Sequence, residues 1–385
     1  MKNNIIIIGG GASALMLASL LPKNSATIIE SNPKVGAKIL VSGGGKCNIT
    51  NREMGTKYFL GDESFVQHAL KRFNEKGLLR WLERQNLHPV LRKETQYFCQ
   101  DSAKELLDIF FKESKKKQDI YLNESVQEVT KCDGLFYVKT NKTTYTANAV
   151  VVASGGLSFP KLGASSIGYD IAESFGHNIV KTAPALVGFT VQKEQFFFKE
   201  LSGVSTEVKI HIGEDVCEGA LLFAHKGLSG PAVLDASLYW EKGKIEIDFL
   251  PNFLWNSVKG SKKQISSLLP MPKRVTKAFL IQLCLEDKPY NQLSQKELEN
   301  LQSLSHYSLA PAGTFGYSKA EVTKGGVDTS EVDSRTMMSQ KKEGLYFIGE
   351  VLDVTGRLGG YNFQWAFSSA YSCSRNIKNY LSSIN

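Results

Sequence analysis

SGGGKCNITN, residues 42–51, sets three glycines directly before Lys46, Cys47 and Asn48. Glycine loses more backbone freedom on folding than any other residue, so a triplet marks a place where the chain needs what a side chain forbids. Such a stretch can lay backbone amides against phosphate or other oxygens, with Lys38 and Lys46 adding charge. Without a ligand it would be a glycine-rich turn, with Asn48 and Asn51 as turn residues. Upstream, Gly9-x-Gly11-x-x-Ala14 follows the apolar run IIII, and Glu30 stands nineteen residues beyond Gly11. This is the dinucleotide-binding fingerprint in its alanine variant. The glycines allow a tight turn, the following helix offers its first N–H groups to a pyrophosphate, and the acid accepts hydrogen bonds from a ribose. Glu30 disfavours NADP in this site, because a 2′-phosphate would meet a like charge.

Two more segments end strands in small residues. ANAVVVASGG closes on Ser154 and Gly155, and GLYFIGE closes on Gly349 and Glu350. A loop with Asp353, Gly359 and Gly360 then runs into a helix starting near Tyr361 or Asn362. The positive end of that helix would stabilise negative charge developing on a group above the sheet. His225, in LLFAHKGLSGP, is a candidate acid or base near neutral pH. His211 alternates outward on its strand and reads as solvated. No metal-ligand spacing is present.

Elements must position these residues. Ile5 to Ile8 read as a strand buried on both faces. Ala14, Leu15, Leu17, Ala18 and Leu21 carry helical spacing, and Ala26 to Ile29 form a second strand. Residues 62–118 read as helical. IYLNESVQEV, LFYVKT and TTYTANAVVV read as strands, with a hairpin turning at Asn141 and Lys142. IGYDIAESFG reads as a helix. Near residue 187 the texture changes: VKIHI and KIEIDF alternate as antiparallel strands with one wet face. Residues 256–305 turn helical and partly basic, with Ser294 and Glu297 at capping-box spacing. The tail returns to a buried strand. Its last helix holds Phe363, Ala366, Phe367, Ala370, Tyr371, Ser374, Ile377 and Leu381 on one face.

The 385 residues carry a net charge of +8, with 42% hydrophobic and 22% charged residues. That is the composition of a soluble globular chain of two or three domains. The charge permits an anionic ligand but does not demand one. The basic stretch with Lys259, Lys262, Lys263, Lys273, Arg274 and Lys277 lacks interleaved aromatics for base stacking, which argues against nucleic acid as a partner. The six scattered cysteines suit a reducing compartment. No apolar run is long enough to span a bilayer. A cytoplasmic protein without membrane contact is expected.

SGGGKCNITN, ASGGLSFPKLGASSIGYDIAESFGH, PALVGF, LLFAHKGLSGPAVLDAS, EVTKGGV and GLYFIGEVLDVTGRLGGYNFQWAFSSAY together resemble the BaiN-like (YhiN-like, aminoacetone-oxidase-like) NAD(P)/FAD-dependent oxidoreductases. The resemblance runs in order over nearly the whole chain. It implies an α/β fold: a split Rossmann-like FAD-binding domain, with a parallel sheet in three-layer packing, plus an inserted antiparallel β-barrel-like domain carrying a small helical subdomain. The expected boundaries are 1–186 and 341–385 for the FAD domain, 187–255 and 306–340 for the inserted β domain, and 256–305 for the helices.

Carried across by motif, FAD contacts fall on Gly9, Gly11, Ser13, Ala14, Glu30, Lys38, Gly43, Gly44, Val126, Ser154, Gly155, Glu350, Asp353, Gly360, Tyr361, Asn362 and Gln364. The chain departs from the family at Lys38 and Lys46, where arginine is commoner, and at Phe98-Cys99, where the family reads Phe-Pro. The flavin does the hydride chemistry itself, so few catalytic side chains are required. Flavin-linked disulfide reductases also place cysteine in such a stretch, but they need two close together. With one cysteine in the motif, Cys47 reads as a small filler beside the cofactor. The expected activity is hydride transfer between FAD and a small organic substrate or NAD(P)H. The alternative is a flavin-containing RNA-modifying or RNA-binding protein.

Overall fold

The computed structural model describes residues 2–384. The chain divides into two compact units, Met1–Pro184 with Glu321–Asn385, and Ala185–Ala320.

The first unit is built on β1 (Lys2–Ile8), α1 (Ala12–Leu20) and β2 (Ala26–Ile29), followed by the short α2 (Ala37–Val41). Ile5, Ile6, Ile7 and Ile8 are all buried, as their unbroken β-branched run predicts. In α1 every residue from Ser13 to Ser19 is buried, so no polar face remains and periodicity gives way to packing on all sides.

Residues 62–118 are not continuously helical. After β3 (Asn48–Asn51) and β4 (Phe59–Gly61), the helices α3 (Glu63–Arg72) and α4 (Glu75–Arg84) are followed by a hairpin of β5 (Val90–Arg92) and β6 (Gln96–Phe98), and only then by α5 (Ala103–Lys115). Lys93 and Glu94 take positive φ at the hairpin turn. No turn dipeptide such as Asn-Gly marks that turn, so the pattern conceals it. β6 also pairs with β3, making a three-stranded sheet.

β7 (Asp119–Tyr121), β2, β1 and β10 (Thr144–Val152) form the parallel core of the main sheet, and β8 (Val126–Cys132) and β9 (Leu135–Thr140) add an antiparallel edge. β9 and β10 make the hairpin expected at Asn141 and Lys142. α6 (Ile167–Ser174) and β11 (Ile179–Ala185) close this half of the unit.

The second unit is a seven-stranded antiparallel sheet. Its strands are β12 (Phe189–Thr190), β13 (Ser205–Ile212), β14 (Asp215–Ala224), β15 (Gly227–Ser229), β16 (Ile245–Asp248), β17 (Tyr307–Leu309) and β18 (Gly313–Thr314), in the order β17-β16-β13-β14-β15-β12-β18. Val208, Ile210, Ile245 and Ile247 are buried, as the period-two alternation requires. α7 (Pro231–Tyr239) packs on β14, and α8 (Ile265–Leu268), α9 (Lys273–Gln282) and α10 (Gln295–Gln302) form the helical part. The capping box at Ser294 and Glu297 is present.

The first unit resumes with β19 (Val322–Val327), which is buried throughout and pairs with β11. The expected return at residue 341 therefore comes earlier, because EVTKGGV is core of the first unit. β20 (Leu345–Phe347) joins the end of β10 in parallel, β21 (Val354–Gly356) pairs with β4, and α11 (Tyr361–Ile384) follows. Among the described residues, no helix is long and apolar enough to cross a membrane.

Candidate functional site

β1 ends against the fingerprint turn. Gly9 has φ +98° and donates its N–H to Ile29 O at 2.8 Å. The Gly10 N–H donates to Glu30 Oε2 at 2.6 Å, and the Asn32 N–H donates to Glu30 Oε1 at 2.7 Å. Glu30 is buried, so its carboxylate ties the turn to the end of β2. Gly11 is the N-cap of α1 and no side chain caps that helix. Beyond Gly11 and its chain neighbours, no described atom lies within 4 Å of the position a Cβ would take there. An uncapped helix start leaves N–H donors and a positive dipole end facing this open space. Ala14 is fully buried within α1. Ser13 is also buried, its Oγ 2.6 Å from where a Cβ would stand on Gly349.

The glycine loop explains its own composition. Gly43 and Gly44 are consecutive left-handed residues, with φ of 54° and 65°, and Gly45 follows at 85°. A side chain at Gly43 would press on the Asn48 N–H at 2.9 Å, whereas the space beside Gly44 is open. Lys46 is exposed. Cys47, itself at φ +46°, is fully buried.

Lys38 and Glu350 meet: Lys38 Nζ lies 2.8 Å from Glu350 Oε2. The other oxygen, Oε1, accepts the Thr323 N–H at 2.9 Å. Thr323 Oγ1 in turn accepts the N–H groups of Leu157 at 2.8 Å and Ser158 at 3.1 Å. One carboxylate thus links α2, the turn after β10 and β19. Gly155 sits beside it, with Glu350 Oε2 3.7 Å from the position of a Cβ there. Ser154 turns toward α6, where a Cβ on Gly168 would overlap its Oγ. Val126 is half-buried at the start of β8, beside a bulge. Burial, reinforced by the charge of Asp328, pushes the Asp353 carboxyl above its ordinary range, against the Gly325 N–H that pulls it down.

The start of α11 is held by polar side chains. Asn362 Oδ1 accepts the Gly356 N–H and its Nδ2 donates to Gly356 O, both at 2.8 Å. Gln364 is fully buried: Oε1 accepts from Thr50 Oγ1 at 2.7 Å, and Nε2 donates to Phe73 O at 2.9 Å and Ser368 Oγ at 3.0 Å. Both side chains are thus engaged within the protein, and the Gln364 N–H is engaged as well, donating to Gly360 O at 3.1 Å. Tyr361 stacks on Tyr58 with ring centroids 4.6 Å apart. A Cβ at Gly360 would stand 2.8 Å from Asn48 Oδ1, so only glycine lets these segments approach. Asn48 Nδ2 donates to Gln96 Oε1 at 2.8 Å, while Oδ1 is buried without a hydrogen-bond partner among the described residues.

Sequence reasoning missed three residues here. Asn48 reads as a turn residue, but its orphaned acceptor lies where the glycine loop and the start of α11 converge. Thr323 lies within EVTKGGV, a segment of the family resemblance to which no chemical role attaches in the sequence. Cys99 corrects the reading of Cys47: the two thiols are in hydrogen-bonding contact, so Cys47 is not single. The separation of 52 positions hides the pair, and only the Phe98-Cys99 departure from the family hints at it. His225 is exposed at the tip of the β14–β15 hairpin in the second unit.

An uncapped helix start with open space at Gly11, a second open glycine at Gly44 and an orphaned acceptor at Asn48 suit an extended dinucleotide such as FAD. The model of the HI0933-like protein Rossmann domain matches residues 3–376. A ribosomal RNA dihydrouridine synthase of Haemophilus influenzae is 39% identical over 97% of this chain and 98% of its own length. A 3-dehydro-bile acid delta(4,6)-reductase of Clostridium scindens is 30% identical, over 97% of this chain and 98% of its own. Among solved structures, the quinol fumarate reductase FrdA of Escherichia coli matches 100% of this chain and 71% of its own, with a TM-score of 0.54 at 14% identity. That likeness is one of fold.

Proposed function

The chain belongs to the HI0933-like Rossmann family and is an FAD-dependent oxidoreductase, and from that premise we propose that it reduces a carbon–carbon double bond conjugated to a carbonyl. Bound FAD, once reduced by NAD(P)H, supplies the hydride. The observation that carries the cofactor assignment is the open, uncapped start of α1 at Gly11 beside the buried Glu30. In this reading the N–H groups after Gly11 would bind the pyrophosphate, and Glu30 would receive a ribose hydroxyl on the lone pair of Oε2 that remains beside the Gly10 N–H, Oε1 already accepting from Asn32 and Ser31. The loop from Gly43 to Gly44 lies along the nucleotide. With FAD bound, Asn48 Oδ1 would be available to accept a hydrogen bond from it, and the N–H groups at the start of α11 would favour negative charge on it. Gly9, Ser13, Ala14, Val126, Ser154, Gly155, Gly360 and Tyr361 shape the cradle. Lys38 and Glu350 act as a pair at its side, Asn362 supports it through backbone, and Asp353 and Gln364, whose N–H groups bond to Val327 O and Gly360 O, hold the segments around it.

The substrate this reading favours is a uracil ring in ribosomal RNA. Its C5=C6 bond is conjugated to a carbonyl, and the 39% identical relative carries the name of an enzyme for that product. The +8 charge and the lysines from 259 to 277 support an RNA partner, against the argument from missing aromatics, because phosphate contacts need charge and not stacking. The second reading is a small cyclic enone, favoured by the reductase that is 30% identical.

The test is anaerobic. The purified protein is loaded with FAD and bleached with NADH or NADPH, then offered ribosomal RNA lacking dihydrouridine or a 3-keto-4-ene steroid. Return of the flavin absorbance with two hydrogens gained by a uridine supports the RNA reading. Reoxidation by the steroid alone supports the second. A protein that takes up no FAD overturns the cofactor assignment, and a reduced protein that neither acceptor oxidises overturns the bond class.

A further inference from the structure

Cys47 and Cys99 are brought together by backbone pairing. β3 and β6 run antiparallel with Asn48 opposite Phe98, which brings the next residue on each side, Cys47 and Cys99, together just beyond the last pair. The Cys99 N–H donates to Lys46 O at 3.1 Å and to Cys47 O at 3.3 Å. Continuing that register by one residue would set their Cα atoms about 4.5–5.5 Å apart, inside the window of about 4.4–6.8 Å that a disulfide needs. Both cysteines are fully buried, yet Cys47 lies directly after Lys46, Gly44 and Gly43, which are exposed. The loop that leads into Cys47 is a run of left-handed glycines with open space beside Gly44. Glycine gives such a loop the freedom to open.

We propose that Cys47 and Cys99 form a redox-active dithiol site that a hydroperoxide converts to a disulfide, pinning the glycine loop to β6. The first thiolate attacks the peroxide: an S–O bond forms, the O–O bond breaks, and an alcohol or water leaves with the proton. The second thiol attacks the resulting sulfenic sulfur: the S–S bond forms, and hydroxide departs as water with the second proton. The thiol pair loses two electrons and the peroxide gains them. Cys99 is the attacking residue and Cys47 the resolving one. A hydrogen bond from Cys47 holds the Cys99 thiol below its ordinary range, while the same contact and burial push Cys47 up. This site stands on residues of the chain and holds whichever substrate the protein reduces.

The experiment uses the whole flavin-loaded protein carrying Cys132→Ser and Cys284→Ser, which removes the two exposed thiols. It is treated with hydrogen peroxide, denatured in iodoacetamide and digested with trypsin without reductant. Cleavage after Lys46, Arg52, Lys93 and Lys104 places Cys47 in residues 47–52 and Cys99 in residues 94–104. The expected result is a joined 47–52/94–104 peptide that accumulates with peroxide exposure and separates with dithiothreitol. In Cys47→Ala the expected product is a sulfenic acid on Cys99, captured by dimedone. Two alkylated thiol peptides in a digest whose methionines are oxidised would overturn the proposal, since the oxidant would have arrived without forming the bond. Irreversible sulfinic acid on either cysteine in place of the joined peptide would overturn it equally.

Discussion

Lys38 Nζ lies 2.8 Å from Glu350 Oε2, although the two residues are 312 positions apart. A lysine expected from the sequence to lend charge beside a bound cofactor is placed against a carboxylate. With side chains 33% and 22% exposed, the pair is partly screened. In the flavin-free protein, a double-mutant cycle of Lys38→Met and Glu350→Gln should give a coupling of about 1 kcal/mol in urea unfolding. Zero coupling, with flavin lost in Lys38→Met but kept in Glu350→Gln, would return Lys38 to the phosphate.

Gly11→Val separates folding from cofactor binding. The residue has φ −81°, ordinary for any side chain, and beyond its chain neighbours no described atom lies within 4 Å of the added Cβ. Stability of the flavin-free protein should change by less than about 1 kcal/mol. Flavin retention after gel filtration should fall at least about tenfold, since about 1.4 kcal/mol of lost binding suffices for that. Normal flavin content would move the pyrophosphate away from α1.

Gln364 behaves as a clamp on α11. Gln364→Leu leaves Thr50 Oγ1 without its acceptor in a buried setting, while Phe73 O keeps the hydrogen bond from Ser368 Oγ at 2.6 Å. The abandoned hydroxyl costs about 1–3 kcal/mol. Chemical denaturation should show a loss in that range even without flavin. A loss confined to the flavin-bound protein would instead make Gln364 a cofactor ligand.

His177 predicts an acid limit to stability. Its Nε2 lies 2.6 Å from Ser339 Oγ, and Nδ1 is 3.3 Å from Glu331 Oε2, with Lys341 Nζ 2.5 Å from Glu331 Oε1. Burial lowers its pKa below the ordinary 6.5, and the charge of Glu331 opposes this without cancelling it. The unfolded chain therefore takes up the proton first as pH falls. The stability that neutral His177 contributes is present above about pH 6.5 and is lost as pH drops through the folded value. The melting temperature should fall from pH 7 toward pH 5, roughly, and less steeply in His177→Gln. Parallel profiles would assign the acid limit to other groups.

What could be read from sequence was local. The strand, the glycine turn, α1 and Glu30 lie within 30 residues, and each constrains its neighbour through backbone geometry and short-range hydrogen bonds. The β9–β10 hairpin and the capping box at Ser294 were legible for the same reason. The tertiary structure decided which distant residues share a site. Strand pairing brought Cys99 to Cys47, and the sheet crossover brought Glu350 to Lys38. The packing of α11 turned Asn362 and Gln364 into internal ties. Such contacts depend on register and burial, which a pattern of residue types does not encode. SGGGKCNITN shows both sides: its left-handed glycines follow from local need, while the partner of its cysteine comes from another strand.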